Sequence, residues 1–219
     1  MKIFLDTADR DLIKKWISTG IIDGVTTNPS LLTKAGNNPK EVLLDICKLV
    51  PGDVSIEVVE KDPEKVYKQA KEIAEISKNV VVKIPFAHEY LPVIEKLVKE
   101  NIKINVTLVF SVLQALLVSK LGVTYISPFV GRWDDIDIDG MKLVENLMQM
   151  KKNYNFKSEI LAASIRNVMH WHYATLIGTD VVTLPPKLLE QIMNHPLTTQ
   201  GIEKFDNDWK SLGKENLLD

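Results

Sequence analysis

The chain has 219 residues, 45% of them hydrophobic and 26% charged, with a formal net charge of -2 and a pI near 6.1. That length suits one large core better than two domains, and so balanced a charge supplies no broad basic field, which excludes nucleic acid as the main partner. The single cysteine, Cys47, has no internal disulfide partner and falls in the apolar stretch 43–49, where it reads as a buried structural thiol.

The amino terminus reaches Asp6 after only three apolar residues, too few for the hydrophobic region of a signal peptide. No apolar run approaches the roughly 20 residues that span a bilayer. A soluble, unexported, cytoplasmic protein is expected, with no membrane partner.

Short β-rich runs follow one another at 3–6, 24–27, 54–58, 80–84, 102–107, 125–127, 160–163 and 181–184, each trailed by helical apolar spacing. The first helix opens near Thr7-Ala8-Asp9, sets Leu12, Ile13, Trp16 and Ile17 on one stripe, and is expected to stop at Gly20. Another begins at Asp62-Pro63-Glu64, a capping residue followed by proline at the first helical position, and buries Val66, Ala70, Ile73 and Ala74. After the last β-rich run, 187–193 reads as the eighth helix. The segment 202–212, carrying Phe205 and Trp209 at helical spacing, reads as an extra one. Its apolar stripe docks on a neighbouring subunit or packs over the chain's own barrel.

Continuous rather than alternating hydrophobicity marks strands covered on both faces, and regular helical crossovers imply that they run parallel. Eight such units predict an α/β fold: one (β/α)8 TIM barrel over 1–219, with about 200–219 as a C-terminal helical extension.

In such a barrel reactive side chains project from the carboxyl ends of the strands. Asp6 ends the first; Thr26, Thr27 and Asn28 end the second; Glu57 lies in the third; Lys83 ends the fourth. Asn105 and Thr107 share a face of the fifth, Ser127 ends the sixth with Phe129 and Arg132 beyond, and Ser164 and Arg166 close the seventh. Lys83 stands out, a lone amine in Val-Val-Val-Lys-Ile-Pro. Desolvation disfavours a charged amine, which suits a Schiff-base nucleophile; the alternative is a side chain snorkelling from a solvated strand end.

Two patterns imitate metal sites. Asp135, Asp137 and Asp139 match the opening of a calcium loop, but its twelfth position is Asn146, so these acids read as a solvated turn and helix cap. His170 and His172, two apart on a helix, face different directions. No metal is expected.

Asp6-Thr7-Ala8, Thr26-Thr27-Asn28-Pro29-Ser30-Leu31, Val82-Lys83-Ile84-Pro85, Asn105-Val106-Thr107, the run from Ser127 to Arg132, and Ala163-Ser164-Ile165-Arg166 together resemble the small transaldolases, the compact branch that also includes fructose-6-phosphate aldolase. The match runs in order from Met1 to the terminal helix. The resemblance implies a Schiff base on Lys83, formed with a ketose phosphate, and Asp6 as acid-base residue for carbon–carbon cleavage. It implies that Glu57 and Thr107 hold a catalytic water, although a buried salt bridge from Glu57 to Lys83 is the plainer reading of that glutamate. Asn28, Asn105 and Ser127 match residues that hydrogen-bond the three-carbon unit. Thr26 belongs beside them in the binding set while also shaping the turn with Thr27.

Arg132, Ser164 and Arg166 resemble a phosphate site. Phe129 and Glu57 match the transaldolase branch, where the aldolases carry Tyr and Gln, so transfer of dihydroxyacetone is expected rather than its release. The implied partners are sugar phosphates, with no cofactor, in the non-oxidative pentose phosphate pathway. The resemblance also implies a homo-oligomer, a pentamer or decamer. A fructose-6-phosphate aldolase, a non-catalytic sugar-phosphate-binding barrel and a phosphate-handling isomerase are the rival readings.

Overall fold

The structure is a computed structural model that describes residues 1–214 and 216–217. Eight parallel strands form a closed barrel in sequence order, with β8 hydrogen-bonded back to β1. They are β1 (Lys2–Asp6), β2 (Gly24–Thr26), β3 (Asp53–Glu57), β4 (Val80–Pro85), β5 (Ile104–Val109), β6 (Tyr125–Pro128), β7 (Glu159–Ala162) and β8 (Val181–Leu184). Between them run α1 (Arg10–Ile17), α2 (Pro29–Ala35), α3 (Pro39–Leu49), α4 (Pro63–Ala74), α5 (Leu91–Lys99), α6 (Val112–Lys120), α7 (Val130–Asp134), α8 (Gly140–Tyr154) and α9 (Val168–Ile177). The C-terminal helices are α10 (Pro186–Met193) and α11 (Pro196–Ser211).

Strand alternation divides the apolar side chains into two cores. Leu5, Val25, Val54, Ile56, Val82, Ile84, Val106, Ile126, Ile160 and Val182 point outward into a cluster shared with the helices. Phe4, Val81, Tyr125, Leu161 and Val181 point inward and fill the barrel floor. Gly24 makes room there: a Cβ on it would stand 2.7 Å from the Phe4 ring. Beneath, at the amino ends of the strands, Lys103 pairs with Asp53 at 2.7 Å and Lys2 with Glu159 at 2.8 Å. The Tyr125 hydroxyl donates to Asp53 at 2.7 Å. Burial and that carboxylate push the phenol up, so it stays a donor.

Capping sets the helix starts. Asp9, Asn28, Asn38, Asp62, Ser111, Asp139 and Asn167 each accept backbone N–H bonds from the first turn of the following helix. Several boundaries differ from the sequence expectations. α1 ends at Ile17 rather than Gly20, because Thr19 and Gly20 close onto the carbonyls of Trp16 and Ile17 in a tighter turn. β5 starts at Ile104, since Ile102 bonds back to Leu97 and completes the end of α5. It then runs on to Val109 through a bulge with Leu108 at φ 56°. α11 begins at Pro196 rather than 202, with proline in the first turn and the His195 ring accepting from Leu197. Cys47 is buried in α3, and burial pushes its thiol up to about 11. No helix among the described residues is long and apolar enough to cross a membrane.

Candidate active site

Above the apolar floor the inward positions turn polar, and strand register decides which of them meet. Asp6 lies beside Thr26 across β1 and β2, Glu57 beside Lys83 across β3 and β4, and Lys83 beside Asn105 across β4 and β5. All of these side chains occupy the carboxyl-end half of the barrel. A cavity of about 160 Å³ opens there, lined by Asp6, Thr26, Asn28, Lys83, Ser127, Phe129, Arg132, Leu161, Ala163, Ser164 and Thr183. A hollow of about 680 Å³ lies beside α1 and α2, but its charged side chains, among them Arg10 and Lys34, face solvent. The smaller cavity brings a buried amine, Lys83, together with a carboxyl group, Asp6.

Lys83 is 5% exposed. Its Nζ lies 3.0 Å from Glu57 Oε2 and donates to the Thr27 carbonyl at 3.1 Å. The Phe129 ring centroid stands 6.0 Å away, and Phe129 is edged by Phe110. The snorkelling reading of Lys83 is thereby excluded, because the amine points into the barrel rather than out of it.

Asp6 accepts a hydrogen bond from Thr26 Oγ1 at 2.8 Å. Burial raises its carboxyl above the ordinary 3.8, opposed by Lys83 and the Thr26 bond and reinforced by Glu57. Two carboxylates and one amine thus share a single electrostatic environment.

The remaining predicted residues divide between the cavity wall and its supports. Ser127 Oγ donates to Asn105 Oδ1 at 2.7 Å, and Asn105 Nδ2 donates to Ser55 Oγ at 3.1 Å, a buried chain across three strands. Asn28 Oδ1 caps α2 through Leu31 N–H at 3.0 Å while the residue also lines the cavity. Thr27 is structural, its hydroxyl donating to Ser55 O at 2.8 Å. Thr107 is fully buried next to the bulge, and its hydroxyl has no protein partner.

Arg132 and Ser164 line the cavity, but Arg166 does not. Its guanidinium grips Asp135 with both nitrogens, one of the bonds measuring 2.7 Å. Asp135 lies in an exposed turn after the short α7, as expected, and there meets Arg166, while Asp134 pairs with His170 at 2.9 Å. Asp139 is a helix cap, as expected. Arg166 crosses over Gly131, whose missing side chain matters: a Cβ there would lie 2.4 Å from Arg166 Nε and 2.6 Å from the Ser164 carbonyl. Ser164 itself adopts φ 58°, a left-handed conformation that costs a non-glycine residue on the order of 1 kcal/mol.

Sequence reasoning missed Thr183 and Ser55. Thr183 Oγ1 lies 2.6 Å from Thr26 Oγ1 and lines the cavity. In Val-Val-Thr-Leu a threonine reads as an ordinary strand former, and only its two-residue offset from the inward Val181 could have signalled it.

The model of the Transaldolase/Fructose-6-phosphate aldolase family matches residues 3–216. The chain belongs to that family. Among similar relatives, each called a probable transaldolase, the protein of Thermodesulfovibrio yellowstonii is 50% identical over 214 residues, 98% of this chain and 100% of its own. That of Kosmotoga olearia is 49% identical over 214 residues, 98% of both chains. That of Herpetosiphon aurantiacus is 48% identical over 212 residues, 97% of this chain and 96% of its own. Two solved flavocytochrome b2 variants, with sulfite and with pyruvate bound, superpose with TM-scores of 0.59 and 0.61 at 13% identity. They cover 84% and 81% of this family member, which spans 56% and 52% of their chains. That likeness shows the barrel fold alone.

Proposed function

We propose that the protein is a transaldolase, moving a dihydroxyacetone unit from a ketose phosphate, sedoheptulose 7-phosphate or fructose 6-phosphate, to an aldose phosphate through a Schiff base on Lys83. One observation carries the reading: a buried amine 3.0 Å from one carboxylate shares its cavity with a second on the facing strand, Asp6.

The chemistry follows from those positions. Transfer of an ammonium proton from Lys83 to Glu57 leaves a free amine, which attacks the C2 carbonyl of the ketose. The returning proton departs with the C2 oxygen as water, and an iminium remains. Thr107, its hydroxyl without a protein partner, suits the positioning of that water. Asp6 takes the proton of the C4 hydroxyl; the C3–C4 bond breaks, its electrons pass into the iminium as an enamine, and an aldose phosphate leaves. The reverse steps on a second aldose phosphate complete a ping-pong transfer. Ser127, Asn105 and Asn28 offer hydrogen bonds to the three-carbon unit. Arg132 and Ser164 meet the phosphate first, with Arg166 joining when the dianion competes with Asp135. No cofactor takes part.

Phe129 bears on the fate of the enamine. A phenyl ring has no proton to deliver, which disfavours release of free dihydroxyacetone and so a fructose-6-phosphate aldolase. The setting proposed is the cytoplasmic non-oxidative pentose phosphate pathway, in a homo-oligomer of five or ten chains.

The test is borohydride reduction in the presence of fructose 6-phosphate, followed by mass analysis of the peptide bearing Lys83. A reduced three-carbon adduct on that lysine is expected, together with transfer to erythrose 4-phosphate. Turnover that survives Lys83→Ala would exclude the mechanism, and free dihydroxyacetone at the transfer rate without acceptor would identify an aldolase instead.

A further inference from the structure

Three hydroxyl and carboxyl oxygens form a short chain across the seam where the barrel closes. Thr183 on β8 and Thr26 on β2 flank β1 on either side, and Asp6 ends β1 between them. Thr26 Oγ1 lies 2.6 Å from Thr183 Oγ1 and 2.8 Å from Asp6 Oδ1. Thr183 is 2% exposed and Thr26 is 3% exposed, so bulk water is a poor substitute for either contact.

Counting hydrogens orders the chain. Thr26 has one hydroxyl hydrogen, and an ionised Asp6 only accepts. The Thr26 hydrogen therefore lies toward Asp6, and the contact with Thr183 uses the hydrogen of Thr183. Donation runs from Thr183 to Thr26 to Asp6. When Asp6 is protonated the chain can reverse, but it then ends on a neutral hydroxyl rather than a carboxylate. Charge-assisted hydrogen bonds are roughly twice as strong as neutral ones, and donors in series polarise one another. The ordered chain thus favours the ionised carboxyl.

We propose that Thr183 is a positioning residue for Asp6: by donating to Thr26 it favours the ionised, proton-accepting form of Asp6 and aims it at the cavity. This deepens the reading of Asp6 as the base for carbon–carbon cleavage, and its consequence for turnover rests on that reading. The other charged groups facing Asp6 are Lys83 from β4, Glu57 from β3 and Arg132 at the cavity wall. β5 presents neutral Asn105 and Thr107, β6 presents Ser127, and the end of β7 presents Ala163 and Ser164. Thr183 therefore acts on a carboxyl whose charged neighbours remain in place when Thr183 is changed.

The test is the carboxyl titration of Asp6, followed by NMR in protein labelled with carbon-13 at aspartate carboxyls, with Asp6→Asn identifying the resonance. Thr183→Val, which keeps the shape and removes the donor, is expected to raise the midpoint by about half a pH unit. Thr183→Ser is expected to titrate like the parent. Loss of the fold would be read as a move the other way, toward the ordinary aspartate value. Coincident curves for the parent and Thr183→Val, or a Thr183→Ser curve displaced as far as Thr183→Val, would overturn the proposal. In transfer assays the acid limb of kcat/KM should move with the NMR midpoint. A midpoint that moves in a protein without transfer activity would uphold the hydroxyl chain and refute the transaldolase reading.

Discussion

Lys83 and Glu57 are register neighbours across β3 and β4, and their charged ends meet at 3.0 Å with only 6% and 14% of the side chains exposed. The contact links two properties. In the proposed mechanism it gives the amine a place to put its proton, and in the fold it makes each charge the compensation for the other. Removing one member of such a pair costs roughly 3 to 5 kcal/mol, whereas removing both can be close to neutral. Lys83→Met is therefore expected to lower the denaturant midpoint markedly, and Lys83→Met with Glu57→Gln to recover most of the loss. A double variant whose loss equals the sum of the Lys83→Met and Glu57→Gln losses would show that the two charges are not coupled.

Asp6 sets a pH dependence whose sign follows from its environment. Burial, the largest influence, raises its carboxyl above 3.8 in the fold, so the protonated form is the better accommodated. The stability from this group is complete below its unfolded value and declines as pH rises through the higher folded one. Asp6→Asn mimics the protonated form. Its Tm should exceed that of the parent at neutral pH and converge with it in acid, while transfer falls by about 10²- to 10⁴-fold. A lower Tm than the parent at neutral pH would contradict this account.

Asp135 holds Arg166 away from the cavity in an exposed ion pair. Arg166 keeps the Asp135 carboxyl below the usual carboxylate range, so the pair persists throughout the neutral region. Exposed pairs are weak and screened by salt. Asp135→Asn should lower KM for a ketose phosphate by about two- to fivefold at low ionic strength, with kcat unchanged, and the difference should shrink as salt is added. Initial-rate measurements at two salt concentrations decide it; a raised KM would mean that Asp135 orients Arg166 for the phosphate instead.

Gly131 keeps open the path by which Arg166 reaches its place. Gly131→Ala puts a methyl 2.6 Å from a backbone carbonyl, where no side-chain rotation can relieve it. Overpacking of this kind costs about 1 to 3 kcal/mol. A lower Tm and a KM raised for phosphorylated but not for unphosphorylated ketoses are expected.

α11 buries none of its residues, with Leu197, Ile202 and Phe205 exposed at 70%, 63% and 71%. A helix of this length gains little stability without tertiary packing. A second copy of the chain is the cover that the proposed homo-oligomer supplies. Light scattering should give a mass several times that of one chain, and Ile202→Glu with Phe205→Glu should reduce it. A parent that is already monomeric at micromolar concentration would refute the proposal.

Much of the site was legible because barrel strands announce their carboxyl ends. Asp6, Lys83 and Ser127 each close an apolar run, so locating the run also located the residue. Thr107 was legible by its alternation with Asn105 within β5, and Glu57 through the family resemblance. Boundaries were read less well where turns compete with strands, as at Ile102, whose β-branched side chain suits a strand but whose N–H is taken by Leu97. The turn at Asp135 was legible but its partner was not, because nothing in its own segment marks Arg166, 31 residues later.

The sequence by itself determined the eight strand–helix units, their parallel arrangement and the concentration of polar groups at one end. These follow from local periodicity, capping and burial on both faces, which neighbouring residues report directly. Only the tertiary structure decided that Arg166 would be engaged by Asp135 and that Thr183 would reach Asp6 through Thr26. Thr183 and Thr26 stand 157 positions apart. Their meeting depends on where the last strand registers against the first, a consequence of closing the whole barrel that no short segment contains.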